Sequence, residues 1–383
     1  MRSMDESSPR IVALLPAHDE EASLPAALAS LRAQTRPPDH VVVVADGCTD
    51  ATAAVAAALG AEVVVTVANT ARKAGALNQA LGLLLPTPPA VASVSSVSSV
   101  QPARLPVLAD DDLLLVLDAD SAIVPGFLAA AAAELADPGT GAVGGIFEGR
   151  PGGGLPGALQ RNEYARYARE IARRDGRARV LTGTATVFRV ETLRAVAAAR
   201  GTGLPGRPGD VYDSRALTED NEITLAILTL GLRARSPRAC AVLTEVMPTW
   251  RDLWHQRLRW QRGALANLRD YGLTRVTVPY ALRQAGMYAG IAAVALFLLA
   301  MASFAALGEL GPPRGGWLAV TAVLVVERIW TVRRRGLRGM LLAAPVVVEF
   351  AYDLVQQAVF LAAAAAVLRG RDATWHHLRT APA

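Results

Sequence analysis

The sequence predicts an α/β layered domain built on a mostly parallel sheet, followed by C-terminal transmembrane helices. Three observations carry that reading. From Arg10 to about Gly149, short β-rich runs alternate with alanine-rich helical stretches. Three of those runs end in polar, acidic clusters. From 286 to 307 the chain is almost wholly apolar, and two further apolar runs follow. With 383 residues and 52% hydrophobic content, the chain can bury a large core and leans toward membrane association.

In chain order, strands are expected at 11–15, 41–45, 62–67 and 113–117, and helices at 20–34, 50–59, 73–85 and 125–135. Asp19 is placed to cap the first helix, and Pro125 suits the first turn of the last. Right-handed crossovers between such units give a parallel sheet. The segment 86–112 breaks the rhythm with PTPP, a serine-rich stretch and three aspartates, and reads as a flexible insertion. Between 155 and 271 the pattern is mixed, with a helix at 159–172, a strand-like 180–189, a loop at 201–209 and an acidic turn into 222–230. The arginine- and tryptophan-rich stretch 250–271 is helical, amphipathic and suited to a membrane interface.

Residues 286–307 are long and apolar enough to span a hydrocarbon core of roughly 30 Å. A second run, 317–330, holds Glu327 and Arg328, and a third, 340–368, holds Glu349 and Asp353. Acids in such segments require a partner or line a pathway. Four arginines at 333–338 favour the cytoplasmic side. Three crossings would put them there but leave Arg369, Arg371 and Arg379 outside, so a re-entrant or interfacial segment is the alternative. The expected organisation is a cytoplasmic catalytic domain at 1–249, an interfacial region at 250–280, a transmembrane region at 281–370 and a tail at 371–383. No secretory signal is evident at the N-terminus, so the front of the chain is expected in the cytosol, and the apolar runs point to a multi-pass protein of the inner or plasma membrane.

Composition narrows the chemistry. The two cysteines, Cys48 and Cys240, form neither a disulfide framework nor a zinc pattern. The net charge of +5 comes from scattered arginines without interleaved aromatics, so nucleic acid is not an expected partner. Membrane lipid and sugar-nucleotide phosphates suit that charge better. Lys73 is the only lysine. An ammonium on a flexible stem binds phosphate as a point charge and is not interchangeable with guanidinium.

The strongest acidic signal is Asp118-Ala119-Asp120, directly after an apolar strand. Ligands bind at the carboxyl ends of strands in open α/β sheets. Two carboxylates there suit Mg²⁺ or Mn²⁺ completed by substrate phosphates. The clusters at 16–21 and 46–50 end neighbouring strands. Asp46 is placed to accept hydrogen bonds from a base or ribose, and Asp50 reads as a helix cap. The glycine-rich dinucleotide fingerprint is missing, which argues against a nicotinamide enzyme.

Taken in order, PAHDEE (16–21), DGCTD (46–50), KAGALN (73–78), DAD (118–120), GTA (183–185), TED (218–220) and QRLRW (256–260) resemble glycosyltransferase family 2. The likeness is greatest to its membrane-bound processive branch of cellulose, chitin, hyaluronan and poly-N-acetylglucosamine synthases. The resemblance implies a GT-A-type, Rossmann-like catalytic domain. It implies donor contacts at Pro16, His18, Glu20, Asp46, Lys73, Asp118, Gln256 and Arg259, and a metal at Asp118 and Asp120. It implies acceptor contacts at Thr184, Glu219 and Trp260, with Asp220 as catalytic base.

A sugar hydroxyl is a weak nucleophile, so a carboxylate must take its proton as it attacks. The leaving nucleoside diphosphate develops charge that a cation and Arg259 stabilise. The function expected from the resemblance is inverting transfer from a UDP-sugar, with UDP-N-acetylglucosamine favoured, to a growing β-linked polysaccharide. The alternative is single addition to a lipid-linked or glycan acceptor. A non-catalytic nucleotide-binding scaffold is the reading from another class, and Asp220 argues against it. The chain departs from the family with Asp19 in place of asparagine and without an N-terminal membrane helix. Polymer export through so small a membrane region would call for a homo-oligomer or a small membrane partner.

Overall fold

The computed structural model describes residues 9–86, 105–309, 311 and 315–370. Most of the 86–112 insertion and all of the tail at 371–383 lie outside the described residues. The chain divides into two compact units, one of Met1–Pro151 with Tyr167–Val246, the other of Gly152–Arg166 with Met247–Ala383.

The first unit opens with β1 (Ile11–Ala17), α1 (Leu24–Arg32), β2 (His40–Ala45), α2 (Thr52–Ala58), β3 (Glu62–Val65), α3 (Arg72–Leu84) and β4 (Leu113–Leu117). It continues through β5 (Ala122–Ile123), α4 (Phe127–Leu135), β6 (Thr140–Gly144) and β7 (Ile146–Gly149). After α5 (Gly154–Arg173), whose N-terminal part belongs to the second unit, come β8 (Ala185–Arg189), α6 (Val190–Ala199), α7 (Glu219–Thr229), β9 (Arg233–Arg235) and β10 (Ala241–Thr244). A seven-stranded sheet runs β3-β2-β1-β4-β8-β6-β9, and a three-stranded sheet runs β5-β10-β7. In the large sheet only β8 opposes its neighbours, β4 and β6.

Aliphatic runs make the central strands. β4 is buried at every position, and β1 from Ile11 to Leu15, because helices cover both faces of a parallel sheet. Each such leucine or valine contributes about 1.5–3 kcal/mol by leaving water. Asp19 does not cap α1. It adopts φ 56°, a left-handed conformation that aspartate tolerates, and its carboxylate accepts the Thr49 amide at 2.6 Å and the Asp50 amide at 3.3 Å. Asp50 accepts the amide of Thr52, the first residue of α2, at 2.9 Å. Residues 105–112 are packed: Leu108 is buried, and Arg10 pairs with Asp112 at 2.5 Å.

The second unit holds residues 154–166 of α5, then α8 (Trp250–Tyr271), α9 (Val278–Ala306), α10 (Gly315–Val332), a 3₁₀ turn (Arg333–Arg335), α11 (Gly336–Ala343) and α12 (Val346–Leu368). Thr249 caps α8 by accepting the Asp252 amide at 3.1 Å, and Gly272 at φ 65° follows its end. The apolar run expected at 340–368 is two helices, because Pro345 adopts an extended conformation between α11 and α12. Among the described residues, three segments are long and apolar enough to cross a membrane: Val278–Ala306, Gly315–Ala343 and Val346–Leu368. Glu349 and Asp353 on α12 have arginine partners. Glu349 meets Arg166 at 2.7 Å and Arg328 at 3.3 Å, while Asp353 meets Arg328 at 2.7 Å.

Candidate active site

The carboxyl ends of β1, β2 and β4 carry the three polar clusters. After β1, the His18 ring bonds the Asp46 carbonyl, and Ser23 donates to the Glu20 carboxylate. After β2, Asp46 accepts from the Thr66 hydroxyl at 2.6 Å and from the Asn69 amide at 2.8 Å. Asn69 also donates to the Arg72 carbonyl and accepts from the Ala71 amide. Asp46 therefore fixes the loop that delivers Lys73 to the first turn of α3.

Lys73 gathers three separate segments. Its Nζ lies 2.5 Å from Asp118 Oδ1 and 3.1 Å from Glu219 Oε1, and donates to the Gly183 carbonyl at 2.8 Å. These partners belong to the DAD, TED and GTA motifs. Burial opposes the charge on Lys73, but Asp118 and Glu219 more than offset it and its pKa is raised. Asp118 is pushed up to about 6, first by burial and then, against the pull of Lys73, by Asp120 and Glu219. One ammonium therefore does not compensate this group of acids.

Asp220 is in the first turn of α7, where its Oδ1 accepts the Asn221 amide at 2.8 Å. A Cβ on Gly183 would stand 3.3 Å from Asp220 Oδ2, so the absence of a side chain at 183 makes room for that carboxylate. A small cavity beside it is lined by Lys73, Thr182, Gly183, Tyr212, Glu219 and Asp220. The Thr184 hydroxyl is buried without a hydrogen-bond partner among the described residues.

Asp118 and Asp120 form a tight turn in which the Ser121 amide donates to the Asp118 carbonyl at 3.0 Å and the Ser121 hydroxyl to Asp120 Oδ1 at 2.9 Å. Burial raises Glu20 to about 7, with Asp120, Glu245 and Asp118 adding to the effect against the Ser23 hydrogen bond. Glu245, which follows β10 and was not singled out from the sequence, is likewise raised by burial and by Asp120. Hard oxygen donors short of positive charge fit a divalent cation. A second trio, Asp19, Cys48 and Asp50, has ligand atoms within 4.8 Å of one another. There the Thr49, Asp50 and Thr52 amides already occupy carboxylate oxygens, and burial pushes the Cys48 thiol up, which disfavours the thiolate.

Gln256, Arg259 and Trp260 lie on α8, in the second unit. Within that unit Arg257 stacks over the Trp260 ring at 4.3 Å and bonds Glu163 at 2.9 Å. Gln256 Oε1 is buried without a partner among the described residues. The structure thus joins Lys73, Asp118 and Glu219 directly and lines one cavity with Lys73, Glu219 and Asp220, with Glu20 and Asp120 in electrostatic reach of Asp118. Pro16 is on β1, paired with Val44 of β2.

A family model described as "Glycosyltransferase like family 2" matches residues 9–263. The probable glycosyltransferase YdaM of Bacillus subtilis (strain 168) is 38% identical over 52 residues, which is 14% of this chain and 12% of that relative. The chain's match therefore spans only about an eighth of that curated relative's length. Among solved structures, the mannosyltransferase PcManGT from Pyrobaculum calidifontis, in complex with GDP-Man and Mn²⁺, aligns over 96% of this chain and 89% of its own, with TM-score 0.59 and 21% identity. That likeness is one of fold. Glucosyl-3-phosphoglycerate synthase from Mycobacterium tuberculosis, in complex with Mn²⁺, UDP and glucosyl-3-phosphoglycerate, aligns over 70% of this chain and 82% of its own, with TM-score 0.42 and 20% identity.

Proposed function

Because the chain belongs to the glycosyltransferase-like family 2, we propose that it is an inverting, membrane-embedded transferase moving a sugar from a nucleotide sugar to a hydroxyl acceptor. The observation that carries this is the Lys73 lock on Asp118, Glu219 and the Gly183 carbonyl, with Asp220 held against Gly183. A binding scaffold needs no carboxylate fixed in this way.

The reaction is a single displacement. The acceptor oxygen bonds to the anomeric carbon as the bond to the diphosphate oxygen breaks, and the acceptor proton passes to Asp220. The Asn221 amide donates to Oδ1 of Asp220 and helps orient the carboxylate. Asp118 and Asp120 are the residues that would hold Mg²⁺ or Mn²⁺. When bound, the cation neutralises charge on the leaving diphosphate. Asp46, with Pro16, His18 and Glu20, receives the nucleoside end of the donor. Gln256 and Arg259 are assigned to the pyrophosphate, and Thr184, Glu219 and Trp260 to the acceptor. These assignments rest on the family motifs.

UDP-N-acetylglucosamine and a growing β-linked polysaccharide are favoured by the TED and QRLRW motifs. The second reading is single addition to a lipid-linked or glycan acceptor. It is favoured by a membrane region with three candidate spans among the described residues. The proposed setting is the inner or plasma membrane, with residues 1–249 cytoplasmic, 250–280 interfacial and 281–370 transmembrane.

A panel of UDP-sugars and GDP-mannose, offered to the detergent-solubilised full chain with membrane lipid or oligosaccharide acceptors, tests the proposal. Turnover of one donor supports it, and product length separates polymer from single addition. Failure of every nucleotide diphosphate to bind would sink it.

A further inference from the structure

Resting on that reading of the Asp118–Asp120 turn, we infer that Glu245 supplies a further carboxylate to the same divalent cation. The strands place it there. β5 and β10 are antiparallel, with Val242 opposite Ile123 and Leu243 opposite Ala122. The ladder ends there, Ser121 and Thr244 are the next residues along it, and Asp120 in the turn and Glu245 after β10 are the residues beyond them. The apposition does persist past the ladder, because Ser121 Oγ and Thr244 Oγ1 are 3.4 Å apart.

The carboxylates of Asp120 and Glu245 lie just beyond that pair, within electrostatic reach of each other. Like charges so placed repel and destabilise the pair. Arg150 provides part of the compensation. Its amide donates to the Thr244 carbonyl at 2.9 Å and its guanidinium to the main-chain carbonyl of Asp120 at 3.2 Å. The Ser121 hydroxyl sits between the two strands, donating to Asp120 Oδ1, so the turn and the end of β10 form one assembly of oxygen donors. A hard cation needs several such oxygens, and the DAD turn alone supplies two carboxylates. Sequence gives no sign of this role, since Glu245 is separated from Asp120 by the whole of β6 to β9.

The test is Mn²⁺ binding by the full chain in detergent, read as loss of the free-ion electron paramagnetic resonance signal, without nucleotide and with UDP or GDP. Thermal unfolding of each variant is followed in parallel. Glu245→Gln is expected to weaken Mn²⁺ binding by about tenfold or more. Glu245→Asp should keep part of the affinity, and Asp137→Asn, which removes a charge at the distant surface pair with Arg233, should match the wild type. Wild-type affinity in Glu245→Gln would overturn the inference while leaving the transferase reading intact. Equal weakening in Asp137→Asn would also overturn it, by reducing the effect to net charge. If the wild type binds no Mn²⁺ under any of these conditions, the cation assignment falls with it. Should Glu245→Gln fail to fold, Glu245→Asp decides: reduced affinity supports the inference and wild-type affinity overturns it.

Discussion

Lys73 Nζ lies 2.5 Å from Asp118 Oδ1, so the single lysine of the chain is bound to the first aspartate of the DAD turn. The same nitrogen reaches Glu219 and the Gly183 carbonyl. Lys73→Met would leave two carboxylates facing each other, and breaking such a pair costs on the order of 3 kcal/mol. Lys73→Arg should not rescue it, because a planar fork cannot meet three acceptors clustered around one point. Thermal unfolding should show the loss of stability, and donor turnover should fall by about a hundredfold in both variants.

Asp220→Asn keeps the shape of the site but removes the proton acceptor. Turnover should fall by about 10²–10⁴-fold. Nucleotide diphosphate binding, followed by calorimetry, should stay close to that of the wild type.

Gly183→Ala tests the packing under that base. The new methyl would meet Asp220 Oδ2 at 3.3 Å and Cβ at 3.4 Å, tight enough to move the carboxylate by a few tenths of an ångström. Turnover should drop by about tenfold with little change in unfolding temperature.

Glu20 sets a pH dependence. Its folded-state pKa of about 7 stands above the usual 4.5. Between those values the folded protein holds a proton that the unfolded chain has released, so stability falls as pH rises through the window. Asp118, raised to about 6, acts in the same direction. Metal-free protein should unfold at lower temperature at pH 8 than at pH 5, and Glu20→Gln should flatten that slope.

In the second unit, Glu349 is 1% exposed and bound to Arg166 and Arg328. Glu349→Ala should destabilise the protein in detergent by on the order of 3 kcal/mol, and Glu349→Gln by less. Thermal unfolding measures both.

Much of this was readable from the chain. The strand Leu113–Leu117 was expected at those bounds because five consecutive aliphatic residues precede a carboxylate pair. The helix Trp250–Tyr271 follows at its expected bounds from its amphipathic, arginine- and tryptophan-rich pattern. Lys73 stood out by being alone of its kind. Apolar content on both sides of Pro345 suggests one span, but the proline separates two helices. Other features depend on distant partners. Residues 154–166 group with the C-terminal helices because Arg166 and Asn162 meet Glu349, which no local pattern shows. The sequence suggests Asp19 as a cap of the following helix because caps are usually local, but its oxygens serve the loop after β2. Glu245 gains its place only from the register of a two-residue strand.

Release of UDP or GDP from a panel of nucleotide sugars with Mn²⁺, by the full chain and by Asp220→Asn, tests the central claim most directly. The account predicts turnover of one donor by the wild type and its loss in the variant, with nucleotide binding kept. Equal turnover by Asp220→Asn would contradict the assignment of the base, and nucleotide binding by neither protein would contradict the site itself.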